Sequence, residues 1–297
     1  MASTIDLHTH STASDGLFAP AELVRLARAA GLARIGLVDH DTTGGLEEAL
    51  AAGEALGVTV VPGIELNTDL PNKRGEAHML GYYIEYERPD FQAALAVLRE
   101  ARARRGERMV ERLRGQGLDI TWERVREIAQ GSVGRPHVAR ALIERGYATD
   151  VSDAFEKWLA RGRPGYESRY KLTPEDAVRL IKSARCVPAL AHPARIPDLE
   201  AEVLPSLVVA GLQGLECYYG EYDEATVARL LKLADTYGLV PTGGSDYHGP
   251  NMHPTPLGGR YVPPEAAERL ERTGAFNHKV AAVPFTLPKS EGAWAGG

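Results

Sequence analysis

Seven short apolar runs punctuate this 297-residue chain, and most of them stop against a histidine or a carboxylate. The runs are Thr4–Leu7, Arg34–Val38, Val58–Ile64, Ala77–Ile84, Val187–Ala191, Leu212–Tyr218 and Leu239–Thr242. Short runs of this kind, bounded by turn residues, read as buried strands. Helical patterns stand between most of them: "PAELVRLARAAG" from Pro20, "GGLEEALAAGEALG" from Gly44, "TPEDAVRLIKSA" from Thr173 and "DEATVARLLKLADTYG" from Asp223. The first opens with proline and closes at Gly31, ordinary helix start and stop signals. Strand alternating with helix predicts parallel pairing, and seven repeats fit a barrel better than an open sheet. With 44% hydrophobic residues the chain can fill such a core.

The interval from Pro89 to Leu172 breaks the rhythm. "DFQAALAVLREARARRGERMVERLRGQG" reads as one long helix ended by Gly115 and Gly117, followed by shorter helices in "TWERVREIAQG", "RPHVARALIERG" and "SDAFEKWLARG". The expected organisation is a discontinuous barrel over 1–88 and 173–285, a helical insert over 89–172 and a tail over 286–297. Glutamates interleave the arginines of the long helix, so i, i+4 ion pairs on a solvated face explain most of that run, ahead of an RNA-facing surface.

The residues after each run carry the chemistry. "DLHTHS" places His8 and His10 two apart, on one side of an extended backbone, with Asp15 close behind. His40 follows the second run, Glu65 the third, His192 the fifth, and Asp246 with His248 the seventh, while His78 lies inside the fourth. A barrel gathers its strand ends on one face, where active sites sit. Nine nitrogen and oxygen donors converging there exceed the needs of one ion, so several metal ions are expected. Asp6, Asp39 and Asp41 sit beside these donors. A carboxylate that orients an imidazole is one reading of them, and for Asp6 and Asp39 the opposite strand face is the other. His253 and His278 have no strand beside them and are not ligand candidates.

Bulk properties narrow the partners. A net charge of −6 gives no positive field for a long duplex, but leaves a small anionic substrate or a chain end open. Cys186 and Cys217 are the two cysteines and form no C-x-x-C pair, so neither a disulfide framework nor a zinc–cysteine site is suggested. No basic segment followed by an apolar run opens the sequence, and no stretch is long enough for a membrane helix, so a cytoplasmic protein with no membrane contact and no obligate protein partner is expected.

Taken together, "DLHTHS", "SDG", "VDHD", "GIEL", "AHMLGY", "LAHP" and "GSDYH" resemble the PHP family, named for its polymerase and histidinol-phosphatase members. The match runs from residue 5 to residue 248. The family fold is a distorted seven-stranded β/α barrel. The helical insert and "GRPHVARAL" look like the stand-alone phosphoesterase branch that acts on nucleotides and short RNA 5′ ends. The resemblance implies three divalent metals: one on His8, His10, Glu65 and Asp246; a second sharing Glu65 and adding His78 and His192; a third on Asp15, His40 and His248. Asp15 stands where some family members have histidine. Manganese, zinc and iron all tolerate such donors.

The implied reaction is phosphoester hydrolysis by a metal-bridging hydroxide, without a phosphoenzyme. The leaving oxygen needs a proton, from an imidazole such as His192 or His248 or from metal-bound water, and the sequence leaves that choice open. Arg135 and His137, at a helix start, are candidates to bind the rest of a phosphorylated substrate, with Arg169 and Lys171 on the returning linker. The expected substrate is a small nucleotide such as a nucleoside 3′,5′-bisphosphate, or the 5′ end of short RNA. Histidinol phosphate is the alternative within the same chemistry. An amidohydrolase-like C–N hydrolase shares H-x-H but has a metal-bridging lysine, where this chain offers Glu65; a non-catalytic binding module is disfavoured by the intact donor set.

Overall fold

A computed structural model describes residues 4–71, 74–129, 131–250, 252 and 254–288. Most of the 286–297 tail, and His253, lie outside the described residues. Seven strands pair in chain order: β1 (Ile5–Thr9), β2 (Arg34–Leu37), β3 (Thr59–Asp69), β4 (Glu76–Tyr82), β5 (Val187–Leu190), β6 (Gly214–Tyr219) and β7 (Val240–Gly244). The sheet curls until its edges meet. Just past the strand ends, the His10 N–H donates to the Tyr247 carbonyl at 2.9 Å and the Tyr247 N–H to the His8 carbonyl at 3.3 Å. Gly244 allows this seam, because a Cβ there would lie 2.4 Å from the His8 nitrogen. The result is a nearly closed α/β barrel.

The seven expected strands all form, with one difference in direction. β4 runs antiparallel to both β3 and β5. The cause is the connection: β3 continues to Asp69, and the few residues left before Glu76 cannot make the crossover that a parallel neighbour requires. This reversal matters for the site. It brings the beginning of β4, with His78, to the mouth where the other strands end.

Helices α1 (Pro20–Ala29) and α2 (Leu46–Leu56) follow β1 and β2. Helix α7 (Pro174–Ser183) precedes β5, α8 (Leu204–Ala210) follows β5, α9 (Glu224–Thr236) follows β6 and α10 (Pro264–Asn277) follows β7. Leu23, Val24, Val178 and Ile181 of these helices pack on outward-facing Ile35, Leu37 and Leu190. Inside, Leu7, Val61, Leu80, Tyr82 and Ala189 form a second apolar layer, which Ala267 and Leu270 of α10 close from below. A register break in β1 between Asp6 and Thr9 lets His8 and His10 reach the same interior as Leu7.

Between β4 and β5 run α3 (Pro89–Gly115), α4 (Trp122–Ala129), α5 (Arg135–Glu144) and α6 (Val151–Ala154), the last continuing as a π-helical turn over Phe155–Leu159. Phe91, Leu95 and Leu98 of α3 belong to the barrel's outer core, while Met109, Val110 and Leu113 pack with Val125, Val138 and Leu142 of α4 and α5. Arg104 pairs with Glu100 on the exposed face, as the i, i+4 spacing predicts. Arg102 and Arg105 depart from that reading: they are 5% and 7% exposed and turn toward the barrel mouth, since every third or fourth residue of a helix shares a face. Among the described residues no helix is long and apolar enough to cross a membrane.

Candidate metal centre

Nine donors expected from sequence are gathered at one mouth of the barrel. His8 comes from β1, Glu65 from β3 and His78 from β4, while His10, Asp15, His40, His192, Asp246 and His248 lie in the loops that leave β1, β2, β5 and β7. Three donor groups form: His8, His10, Glu65 and Asp246; His10, Asp15, His40 and His248; and His40, Glu65 and His78. The first reproduces an expected set. The second adds His10 to an expected set, and the third has His40 where His192 was expected. His192 is nevertheless close, its Nε2 3.3 Å from Glu65 Oε1.

The spacing of the donors identifies what they suit. Ligand atoms at about 2.0–2.2 Å from an ion stand about 3.0–3.5 Å from one another in octahedral or tetrahedral arrangement. Glu65 Oε2 lies 3.3 Å from His8 Nε2 and 3.2 Å from both His10 Nε2 and His40 Nδ1. Asp246 Oδ1 lies 3.2 Å from His8 Nε2 and 3.3 Å from His10 Nε2, and Asp15 Oδ1 lies 3.3 Å from His248 Nε2. Near as they are, both ring nitrogens of His10 and Oδ1 of Asp15 are buried with no aligned hydrogen bond. Lone pairs that converge on a point instead of pairing donor with acceptor fit a divalent cation.

Burial favours neutral Asp15, Glu65 and Asp246, yet the surrounding imidazoles hold all three carboxyls well below their usual range. Burial likewise opposes a charge on His10, but Asp246 and Glu65 raise it to about 10. At His40 burial wins over Glu65 and Asp15, and the imidazole falls to about 3. Ionised carboxylates and the uncharged His40 are in the form that binds metal, whereas His10 has to give up its proton to do so.

Two hydrogen bonds set tautomers. His8 Nδ1 donates to Glu216 Oε1 at 2.8 Å and His248 Nδ1 to the Asp246 carbonyl at 2.9 Å, so each ring presents an Nε2 lone pair to the cluster. Asp41, His192 and Asp246 hold left-handed backbone at φ 54°, 30° and 58°, a cost in strain that loops tolerate where it aims a functional side chain. The His192 N–H donates to Glu216 Oε2 at 2.6 Å, and the Tyr219 hydroxyl to Asp246 Oδ2 at 2.9 Å. Glu216 and Tyr219 were not anticipated; the available signal was a lone carboxylate in the otherwise apolar strand "GLECYY". Asp39 accepts from the Ser11 N–H and from the Ser11 and Ser14 hydroxyls, shaping the loop that presents Asp15. Asp6 accepts from Ser245 and the Gly258 N–H, fixing the loop that presents Asp246. His278 is elsewhere, bonded to the Tyr83 carbonyl.

The candidate substrate-binding residues divide. Arg135, Arg169 and Lys171 line the cavity beside Asp15, His40 and His78. His137 does not: it is buried, its Nδ1 accepts the Gly134 N–H at 2.8 Å, and burial lowers it to about 4. It caps α5 rather than facing the mouth. Asp41, paired with Arg102 at 2.6 Å and Arg169 at 2.9 Å, ties α3 and the returning linker to the β2 loop.

A nearly closed α/β barrel with a histidine–carboxylate cluster at one mouth has the architecture of a metal-dependent hydrolase. The chain belongs to the PHP domain family, whose model matches residues 6–166. It is 34% identical over 254 residues to the 3′,5′-nucleoside bisphosphate phosphatase of Chromobacterium violaceum, spanning 84% of this chain and 88% of that one. To the 5′-3′ exoribonuclease Rnm of Salmonella typhimurium it is 35% identical over 257 residues, spanning 82% and 85%. The phosphoribosyl 1,2-cyclic phosphate 1,2-diphosphodiesterase of Eggerthella lenta is 34% identical over 248 residues, spanning 82% and 94%. Among solved structures, a protein of Bifidobacterium adolescentis described as a metal-dependent phosphoesterase superposes with a TM-score of 0.83 at 32% identity, covering 92% of this chain and 97% of that one. The chain is a metal-dependent hydrolase of phosphoesters.

Proposed function

We propose that this enzyme removes a terminal phosphate from small nucleotides carrying a second phosphate, such as nucleoside 3′,5′-bisphosphates, and trims short RNA from its 5′ end. The observation that supports a multinuclear site is the position of Glu65. Its Oε2 faces His8, His10 and His40, while its Oε1 faces His78 at 2.9 Å and His192 at 3.3 Å. A carboxylate whose two oxygens serve different donor groups suits a bridge between two ions, and Asp15, His40 and His248 suit a third. On this reading the ions take His8, His10, Glu65 and Asp246; Glu65, His78 and His192; and Asp15, His40 and His248. Manganese, zinc or iron would serve.

When bound, such ions supply a hydroxide at neutral pH and neutralise charge on the phosphoryl oxygens. The chain's own groups orient and hold. Glu216 keeps the proton on His8 Nδ1, and Tyr219 holds the Asp246 carboxylate. An imidazole nitrogen committed to an ion has no proton to give, so with His192 and His248 both holding ions the leaving oxygen would draw its proton from water instead. Residues 89–172, read as an insert on the barrel of 1–88 and 173–285, wall the mouth with Arg135, while Arg169 and Lys171 stand on the returning linker. That geometry favours a chain end or a small molecule over a duplex held along its length. Metal content per chain, and kcat/KM for a 3′,5′-bisphosphate, the 5′-monophosphate, histidinol phosphate and a 1,2-cyclic phosphate under one metal condition, test the reading. The bisphosphate should lead; a preference for histidinol phosphate or the cyclic ester overturns the nucleotide assignment and leaves the hydrolysis standing.

A further inference from the structure

Beyond the cavity beside the metal donors, a separate group of basic side chains lies on the outer surface along one stretch of its rim. Arg161 and Arg163 stand on the turn that follows the π-helical segment, and Arg108 and Arg112 on the exposed side of α3 next to it; none of the four lines the cavity. The turn runs between two parts of the cavity wall, since Phe155 lines the cavity before it and Arg169 after it. Arg112 Nε donates to the Pro164 carbonyl at 3.0 Å, which joins helix to turn. Arg161 donates to the Tyr166 hydroxyl, and its charge is reinforced by Asp69 and Glu76, the two carboxylates that Lys171 holds at the rim.

Little acid opposes this group. Arg108 and Arg112 share Glu167 at 3.7 and 3.8 Å, too long for hydrogen bonds, and Glu111 lies on the flank of α3 one turn from Arg108. Among the described residues no ion pair reaches Arg163, which is exposed. Four arginines against two carboxylates leave two positive charges in excess, on a chain whose net charge is −6. Elsewhere around the mouth the balance runs the other way: Arg195 meets Glu221, and Arg74 meets both Asp198 and Glu202.

A strand whose end sits over the metal donors has to leave across the rim, and this is the stretch where its phosphates meet positive charge. Guanidinium forks suit successive phosphates, and the partly exposed Tyr166 ring offers a base a face to stack on. We propose that Arg108, Arg112, Arg161 and Arg163 form a track across the rim that holds the backbone phosphates of single-stranded RNA whose 5′ end lies in the cavity. This deepens the exoribonuclease part of the reading above and rests on it.

The test measures fluorescence anisotropy of 3′-labelled, 5′-phosphorylated RNA on the metal-loaded enzyme across a salt series. A dinucleotide and an octanucleotide are compared, both with phosphorothioate linkages, which keep the charge and slow cleavage. The variants are Arg161→Gln with Arg163→Gln, and Arg108→Gln with Arg112→Gln. The parent should bind the octanucleotide more tightly than the dinucleotide. Each double substitution should weaken octanucleotide binding roughly 10-fold and flatten the slope of log Kd against log salt by about 1.4, the share of two phosphates on a single strand. Dinucleotide binding and kcat/KM on a nucleoside 3′,5′-bisphosphate should stay within about two-fold of the parent, because exposed pairs such as these contribute little to the fold. Parent-like octanucleotide affinity and salt slope in both variants would refute the track, as would a parent that binds the two lengths equally. Octanucleotide binding that follows the arginines, without release of a 5′ nucleotide from unmodified RNA, supports the track and defeats the exoribonuclease reading alone.

Discussion

Replacing Glu216 by glutamine changes one atom of a side chain that is wholly buried. Both carboxylate oxygens are in use, one accepting the His8 Nδ1 proton at 2.8 Å and the other the His192 N–H at 2.6 Å. An amide has a single acceptor. Turned either way, it sets an N–H against one of those donors, at a cost of about 1–3 kcal/mol. His8 can escape only by moving its proton to Nε2, which removes the lone pair now aimed at Glu65 and Asp246. Loss of such an orienting carboxylate typically weakens metal affinity or activity about 10- to 100-fold, or about 1.4–2.8 kcal/mol. The assay is metal content after dialysis against a graded metal buffer, with kcat/KM on the preferred substrate and a thermal midpoint. Glu216→Gln should fold cooperatively and load less metal at limiting concentration. Parent-like loading together with parent-like kcat/KM would refute the idea that Glu216 sets the His8 tautomer.

Other outcomes follow from the same geometry. His40→Ala should remove one metal equivalent and nearly all activity while circular dichroism stays native; full activity would remove His40 from the site. Arg135→Ala frees Glu76 and takes a basic group from the cavity wall, so KM should rise by roughly 10-fold or more while metal content holds; an unchanged KM would assign Arg135 a structural role. Chelation should lower the thermal midpoint, because ligand present at about 1,000 times its Kd adds about 4 kcal/mol to the folded state. Manganese or zinc should restore it, and a midpoint indifferent to chelator would contradict the donor clustering.

Much of this was readable because the chemistry falls at strand ends. Val, Ile and Leu runs mark the strands, and the i, i+2 spacing of His8 and His10 marks a shared side. Strand direction was harder. A hydrophobic run has no polarity, and β3 looked as though it stopped at Ile64 because its continuation, "ELNTD", is mostly polar and carries the site's own Glu65. With five residues of strand hidden, the short turn that forces β4 to reverse was hidden too. The buried pair Arg102 and Arg105 was masked in another way: glutamates around them suggested a solvated helix, whereas one face of α3 meets the barrel. Glu216 sits on a strand whose neighbours are apolar, and only the fold brings it against His8.

The seam between β1 and β7 has a consequence for how the enzyme matures. His8 and Asp246 stand on opposite sides of that join, so the donor group containing both exists only once the seventh strand has docked against the first. A chain emerging from synthesis cannot assemble this group on its early residues alone, because residue 246 must arrive first. An ion captured there would act as a clasp across nearly the whole polypeptide, penalising the open chain in the manner of a long-loop cross-link. Loading of that group would thus report completion, because a truncated or half-folded copy lacks its full donor set.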